Sequence, residues 1–179
     1  MGLTGERDAL AVVDRGTDYM DCFPLMSRQA SDAQGALREF YGEVTPTRMY
    51  TDNAAELIRA CRDLRWRHDK STPYRHQSNA FCERSVRRIV EGARALLEQA
   101  GLPSCFWPFA VRYYCLMHNT EVVDGESPWL RRHEGKAFPA LRLCSRRVRA
   151  VLRQCLRLAP LALPALRPRV RYLDPGAVP

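Results

Sequence analysis

Two carboxylates stand where the end of a strand and the start of a helix could bring them together. Asp52 ends the run "TRMYTD" (47–52), which is rich in β-forming residues, and Glu83 follows the loop "STPYRHQS" (71–78) at the start of an amphipathic helix. Hard cations such as Mg²⁺ prefer carboxylate oxygens and usually keep water or phosphate ligands alongside them. The pair therefore predicts a divalent-cation site of the kind that promotes phosphoryl transfer.

Each carboxylate also has an ordinary structural explanation. Asp52 could serve as a turn or N-cap residue between the strand and the next helix. Glu83 continues the apolar stripe of Val86 and Val90, and it could complement the helix dipole or pair with a nearby arginine. Taken singly, each residue is explained by its structural role, so the metal-site hypothesis depends on the two converging.

The elements that position these residues follow an α/β order. "DALAVVD" (8–14) and "DYMDCFPL" (18–25) predict a β-hairpin, "TRMYTD" predicts a strand and "RWRHD" (65–69) a weaker one. Helices alternate with these strands and continue over residues 79–99 and 103–119, the last being apolar on most sides and expected to be buried. The expected buried stripes are Ala33, Ala36, Leu37, Phe40 and Tyr41; Ala54, Leu57, Ile58 and Cys61; and Val86, Ile89, Val90, Ala93, Leu96 and Leu97. This order predicts an α/β domain with a mixed sheet.

Capping residues predict where the helices start. Ser27 or Ser31 could cap the first helix, and Asn79 could cap the third. Asn53 and Glu56 form an N-x-x-E pair that predicts a capping box before the second helix.

Composition excludes several classes of protein. The chain of 179 residues is 46% hydrophobic and 27% charged, which fits one globular domain with extensions. Its seven cysteines form no C-x-x-C pair and no zinc-finger spacing, so neither a disulfide framework nor a structural metal is indicated. There is no signal-peptide pattern and no apolar stretch long enough to span a membrane. We expect a nuclear or cytoplasmic protein that is not secreted and has no membrane partner.

The net charge of +8 comes from the C-terminal segment. From residue 139 onward there are nine arginines and one acidic residue, a balance of 9 − 1 = +8, so residues 1–138 are neutral overall. This Arg/Leu/Pro-rich tail (139–179) could be a basic arm that binds phosphates or an acidic membrane surface. Alternatively it is a disordered extension or an error of gene prediction such as a retained intron, since Pro160, Pro164 and Pro168 would break a long helix.

Two motifs resemble the catalytic core of retroviral and retrotransposon integrases. They are "YTDNAAEL" (50–57) and "STPYRHQSNAFCER" (71–84), separated so that 30 residues lie between Asp52 and Glu83. The resemblance runs from residue 8 to residue 138, and "SPWLRRHEGKAF" (127–138) is similar to the segment that follows the core in Copia-type elements. His76 and Ala80 replace a Pro and a Gly that are usual in the family's loop.

The resemblance implies a ribonuclease-H-like mixed sheet flanked by helices. It divides the chain into a partial catalytic core (8–120), a post-core segment (121–138) and the tail. Asp52 and Glu83 match the family's second Asp and its Glu, which implies that they are catalytic and bind Mg²⁺ or Mn²⁺. The family's activity is DNA integration by attack of a 3′ hydroxyl on a phosphodiester, with DNA and further copies of the chain as partners.

The family's first catalytic Asp lies on the strand before the one that matches "VVDRGTDYM" (12–20). Allowing for one strand and a hairpin, it would lie roughly 10 to 15 positions before Asp14, at or beyond Met1. We therefore expect the first strand to be missing, the metal to bind weakly if at all, and catalysis to be impaired. The alternative is that Asp14 takes the place of this residue.

The loop and the solvent side of the following helix are the expected DNA-binding surface. The residues assigned to it are Lys70, Tyr74, Arg75, Gln77, Asn79, Arg84 and Arg87. Arg88 and Arg94 are explained as a solvated face. Besides an integrase, the sequence allows a non-catalytic nucleic-acid-binding remnant, or a structural protein with the same fold.

Overall fold

The computed structural model describes residues 1–70 and 76–138 of the chain. Four strands fall in this part: β1 (Asp8–Val13), β2 (Met20–Leu25), β3 (Met49–Thr51) and β4 (His68–Lys70). Its helices are α1 (Ala30–Tyr41), α2 (Ala55–Asp63), α3 (His76–Ala100), α4 (Trp107–Thr120), which follows a 3₁₀ turn, and α5 (Pro128–Arg132). The predicted order of strands and helices is confirmed, and the tail lies outside the described residues.

The strands pair in two small sheets. β1 and β2 form the predicted hairpin, antiparallel, with Asp8 opposite Leu25 and Val13 opposite Met20. β3 and β4 are parallel, with Met49 opposite His68. A mixed sheet contains both parallel and antiparallel strand pairs. Both kinds occur among the described residues, but they lie in two separate two-stranded sheets.

Two apolar clusters cover the opposite faces of β1. Cluster A contains Leu10 and Val12 of β1, together with residues of α1, α2 and β3. Cluster B contains Ala9, Ala11 and Val13, together with residues of α3 and α4. Because side chains alternate along a strand, β1 contributes to both clusters and is the centre of the fold.

The helical stripes are largely those that the spacing predicts. All the expected α1 positions are buried except Tyr41, which is half-buried. In α2 the buried residues are Leu57, Ala60 and Cys61, so Ala60 takes the place expected for Ile58. Six residues of α4 are buried, in line with its expected burial, while Phe109 is 48% and Met117 43% exposed.

Side-chain capping was less predictable. The N-cap of α1 is Gln29 rather than a serine; Ser27 instead accepts a hydrogen bond from the Gln29 N–H at 3.3 Å. α3 begins at His76, so Asn79 lies inside the helix and is not its cap. The sequence analysis placed residues 76–78 in the preceding loop, but they form the first residues of the helix.

The post-core segment packs onto the core through Arg132 of α5. Its guanidinium donates to the Phe40 carbonyl at 2.6 Å and lies over the rings of Tyr19 and Phe40, 4.6 and 4.4 Å from their centroids. Among the residues the structure describes, none of the helices combines the length and apolarity that a membrane crossing requires.

Candidate metal-binding and nucleic-acid site

Asp52 lies in the short connection between β3 and α2, and its neighbours fix it there. Its Oδ1 accepts a hydrogen bond from the Ala54 N–H at 3.2 Å. The hydroxyl of buried Thr51 donates to the Asp52 carbonyl at 2.8 Å and lies 2.7 Å from Nε2 of His68. The expected capping box of Asn53 and Glu56 is wrong, since no side chain caps α2 at its N-cap residue, and Asp52 satisfies the amide of Ala54 instead.

The environment of Asp52 makes its charged form costly. Desolvation raises the pKa of the Asp52 carboxyl, the hydrogen bond from Ala54 opposes this, and the nearby charge of Glu56 adds to the increase. A bound cation would relieve this penalty, because an opposite charge favours the ionised form.

Glu83 lies on α3 and is half-buried on the side of the helix that carries Val86 and Val90. It is the eighth residue of α3, since the helix begins at His76, so its expected position in the first turn is wrong. Asp52 and Glu83 line one cavity of about 330 Å³, together with residues of β1 and β3. Both sequence-predicted carboxylates thus lie on the wall of this cavity, which is the candidate site.

The charged groups around this cavity shift the pKa of the Cys82 thiol. Desolvation raises the pKa of the Cys82 thiol; the Arg15 guanidinium lowers it, and the carboxylates of Glu83 and Asp52 raise it. Arg15 and Cys82 line the same cavity, and the Arg15 guanidinium lies 5.2 Å from the ring centroid of Phe81. The sequence analysis assigned no role to Arg15 or Cys82, although Arg15 follows Asp14 and Cys82 precedes Glu83 in the chain.

Asp14 also lines the cavity, but its carboxylate belongs to the β1–β2 turn. Oδ1 accepts from the Gly16 N–H at 3.0 Å, and Oδ2 accepts from the Thr17 hydroxyl at 2.8 Å and lies 3.5 Å from the Arg132 guanidinium. These contacts explain Asp14 as a turn residue.

Comparison with known proteins found sequence relatives among retrotransposon polyproteins. The chain is 36% identical over 77 residues to the retrovirus-related Pol polyprotein from transposon TNT 1-94 of Nicotiana tabacum, covering 40% of this chain and 6% of that protein. It is 31% identical over 128 residues to the corresponding polyprotein from transposon RE2 of Arabidopsis thaliana, covering 65% of this chain and 9% of that protein. The chain thus spans less than a tenth of the length of these relatives. No protein-family model matches it.

The fold matches the catalytic core domain of BIV integrase in its crystal structure. The TM-score is 0.54 at 16% sequence identity, over 70% of this chain and 85% of that chain. The chain is related to retrotransposon Pol polyproteins and has an integrase-core fold. The predicted resemblance and the ribonuclease-H-like fold class are thereby confirmed.

Asp52 and Glu83 are the sequence-predicted metal ligands on this cavity. Within residues 1–70 and 76–138, no group of three or more His, Cys, Asp or Glu side chains could hold a metal ion together. Mg²⁺, however, usually keeps several waters and is held by one or two carboxylates plus substrate phosphates. Two carboxylates on one cavity fit such an ion, and they leave it dependent on a phosphate partner.

Five of the seven predicted DNA-binding residues of the integrase-like core lie on β4 and α3. Arg84 and Arg87 are exposed on α3, and Arg84 Nε donates to the Ala80 carbonyl at 3.2 Å. Lys70 ends β4, and Gln77 and Asn79 fall in the first turn of α3. Tyr74 and Arg75 lie outside the described residues.

The two arginines assigned to a solvated face are exposed as expected. Arg88 lies 3.9 Å from Asp18 across the surface, and Arg94 lies further along α3.

Proposed function

We propose that this chain is the partial catalytic core of a retrotransposon integrase, whose intact form joins DNA ends by attack of a 3′ hydroxyl on a phosphodiester. The observation that carries the proposal is the placement of Asp52, after β3, and Glu83, on α3, along one cavity of an integrase-core fold. The sequence relation to retrotransposon Pol polyproteins supports it.

Asp52 and Glu83 would together hold Mg²⁺ or Mn²⁺. A divalent ion there supplies Lewis-acid stabilisation of phosphate charge and activation of the attacking oxygen. The Ala54 amide holds one Asp52 oxygen, which orients the carboxylate toward the cavity. Because the pKa of Asp52 is raised, a proton competes with the metal, and metal affinity should increase with pH.

The basic and polar residues of β4 and α3 would position DNA beside this site. Arg84 and Arg87 are exposed and free to reach phosphates, which fix register without reading sequence. Lys70, Tyr74, Arg75, Gln77 and Asn79 complete the proposed surface. A nuclear or cytoplasmic location and assembly into homo-oligomers are part of the proposal.

We further propose that catalysis by the chain of 179 residues is impaired. Of the other acidic residues on the cavity, Asp14, the alternative candidate for the first catalytic Asp, is bound by Gly16, Thr17 and Arg132, and Asp8 is paired with Arg28. Asp52 and Glu83 would then have to bind the metal by themselves, whereas the family uses three carboxylates.

The decisive experiment measures DNA affinity and strand transfer with and without Mg²⁺. We expect Mg²⁺ to tighten binding of a DNA duplex by the wild-type chain, because Asp52 and Glu83 would hold the ion and its charge would attract the DNA phosphates. We expect this gain to be lost in Asp52→Asn and in Glu83→Gln, and strand transfer to stay at background. DNA binding that Mg²⁺ leaves unchanged would contradict the metal site, and efficient strand transfer lost in Asp52→Asn would contradict the impairment.

A second candidate is a nucleic-acid-binding protein without catalytic activity. The exposed arginines Arg84 and Arg87 on one helix favour it, as does the lack of a three-ligand group in the described part of the chain. It predicts DNA affinity that falls steeply with salt, with a slope that decreases when residues 139–179 are deleted. Binding would be equal in wild type and Asp52→Asn at all Mg²⁺ concentrations.

A further inference from the structure

The hydroxyl of Thr51 connects the side chain of His68 to the backbone of Asp52. Thr51 ends β3 and is buried, and its Oγ1 lies 2.8 Å from the Asp52 carbonyl oxygen and 2.7 Å from Nε2 of His68. In the parallel pair Met49 lies opposite His68, so Thr51, two residues after Met49, shares a face of the sheet with the His68 side chain. The contact therefore follows from the register of β3 and β4.

The two contacts of the Thr51 hydroxyl determine which atom donates in each. A carbonyl oxygen can only accept, so the single hydroxyl proton of Thr51 is directed to the Asp52 carbonyl. Thr51 Oγ1 must then accept from His68, which requires a hydrogen on Nε2. The geometry thus gives two hydrogen bonds in series, from His68 to Thr51 and from Thr51 to Asp52, here termed the His68–Thr51 link.

The His68–Thr51 link fixes the orientation of Asp52. It holds the carbonyl of this residue, while the Ala54 N–H holds the side-chain Oδ1 at 3.2 Å. Within residues 1–70 and 76–138, Oδ2 of Asp52 has no hydrogen bond or ion pair. Because the backbone and one carboxylate oxygen are held, the carboxylate cannot turn freely, and Oδ2 is the oxygen left to bind a cation.

We propose that His68 is a positioning residue for the metal ligand Asp52 and acts through the hydroxyl of Thr51. Groups that orient a ligand through hydrogen bonds affect metal affinity without contacting the ion. Loss of the donor at Nε2 would leave the buried Thr51 hydroxyl without one of its partners, so it would no longer hold the Asp52 carbonyl in one direction. This inference rests on the proposed function, in which Asp52 binds the metal.

Amide hydrogen exchange at Ala54, measured by NMR on the full chain without metal, tests the positioning. We expect about tenfold faster exchange in His68→Leu and in Thr51→Val, because Asp52 can then turn and its Oδ1 releases the amide. His68→Gln retains an N–H donor and Thr51→Ser retains the hydroxyl, so both should exchange like wild type. The amide of Leu64, hydrogen-bonded at 3.0 Å at the end of α2, is the reference and should not change.

Two exchange results would overturn the proposal. One is an unchanged rate at Ala54 in His68→Leu and Thr51→Val. The other is an equal acceleration at Ala54 and Leu64, which a general loss of stability would produce. The wild-type chain provides a test that needs no variant: ¹⁵N spectra of the imidazole should show a hydrogen on Nε2 of His68. A neutral imidazole with its hydrogen on Nδ1 alone would also overturn the proposal.

Titration of Mn²⁺ in the presence of a DNA duplex, followed by electron paramagnetic resonance, tests the effect on the metal. We expect His68→Leu and Thr51→Val to weaken Mn²⁺ binding by about tenfold, and His68→Gln and Thr51→Ser to bind like wild type. Asp52→Asn separates the two proposals. If it leaves Mn²⁺ binding unchanged, the proposed metal site is wrong, and exchange at Ala54 alone decides whether His68 positions Asp52. If Asp52→Asn weakens binding but His68→Leu and Thr51→Val do not, the positioning role of His68 is overturned.

Discussion

The side-chain amide of Asn119 pairs with the backbone of Met20 as a neighbouring strand would. Its Oδ1 accepts from the Met20 N–H at 3.0 Å, and its Nδ2 donates to the Met20 carbonyl at 2.7 Å. Asn119 is buried near the end of α4, and Met20 begins β2. This pairing attaches α4 to the hairpin, and since α3 packs along α4, it also supports the helix that carries Glu83.

Asn119→Ala should destabilise the protein by about 2–4 kcal/mol, because it leaves a buried N–H and a buried C=O of Met20 without partners. Urea denaturation followed by circular dichroism measures the loss. Thr120→Ala is the neighbouring control: Thr120 bonds only to carbonyls of its own helix, and we expect a change below about 1 kcal/mol. Equal losses in the two variants would contradict the role of Asn119.

Gly92→Ala should destabilise the contact between α3 and α4. A Cβ on Gly92 would overlap the ring of Tyr114, so the helices or the ring must move, at a cost of about 1–3 kcal/mol. Gly35→Ala in α1 is the matched control, because no atom lies within 4 Å of its added Cβ and it should gain about 0.5–1 kcal/mol. In a double-mutant cycle, Gly92→Ala should cost much less in the Tyr114→Ala background than in the wild-type background, and an equal cost in both would contradict the clash.

Asp52→Asn should stabilise the protein at neutral pH. The pKa of Asp52 is raised in the folded state, chiefly by desolvation, so its contribution to stability is full below the usual carboxyl pKa and is lost as pH rises through the raised value. Asparagine retains an oxygen that can accept from Ala54. Melting temperatures between about pH 3.5 and about pH 7.5 should show a gain over wild type that increases with pH.

The control for Asp52→Asn is Asp124→Asn, in an exposed loop, which should show no such trend. A melting temperature lower than that of wild type at pH 7 would mean that the charge of Asp52 stabilises the fold, contrary to its desolvation.

Mg²⁺ should increase the reactivity of Cys82. The charges of Glu83 and Asp52 contribute to the raised pKa of its thiol, so a cation bound between them would lower the pKa and increase the thiolate fraction. Alkylation by iodoacetamide at pH 8, quantified by peptide mass spectrometry, measures this. Cys22 and Cys115 are buried and should stay unreactive. A rate at Cys82 that is independent of Mg²⁺ in wild type, or equally accelerated in Glu83→Gln, would contradict the arrangement.

Local periodicity was sufficient to predict the hairpin and the first three helices. The alternation in residues 8–25 predicts the hairpin, and the spacing of apolar residues predicts α1, α2 and α3, because burial of one face decides both patterns. Capping was not predictable to the same extent. Ser27, Asn53 and Asn79 all have the right chemistry, but the chain uses Gln29 and Ala54 as N-caps, since several polar residues compete within one turn of each helix start.

Of the candidate site, the sequence predicted the carboxylates but not their surroundings. The spacing of Asp52 and Glu83 within recognisable motifs is a local signal, and both residues line the same cavity, while their sharing a metal site stays a prediction. The separation into two sheets, the hydrogen bonds that commit Asp14 to its turn, and the proximity of Arg15 to Phe81 depend on packing between distant segments. No periodicity encodes such contacts.

Manganese binding followed by electron paramagnetic resonance tests the shared metal site most directly. Titration of Mn²⁺ into the wild-type chain with a DNA duplex should reveal a bound ion, and both Asp52→Asn and Glu83→Gln should weaken its binding by about tenfold or more. Glu98→Gln, an exposed position on the same helix, should leave it unchanged. If either Asp52→Asn or Glu83→Gln binds Mn²⁺ as tightly as wild type, the two carboxylates do not form one metal site.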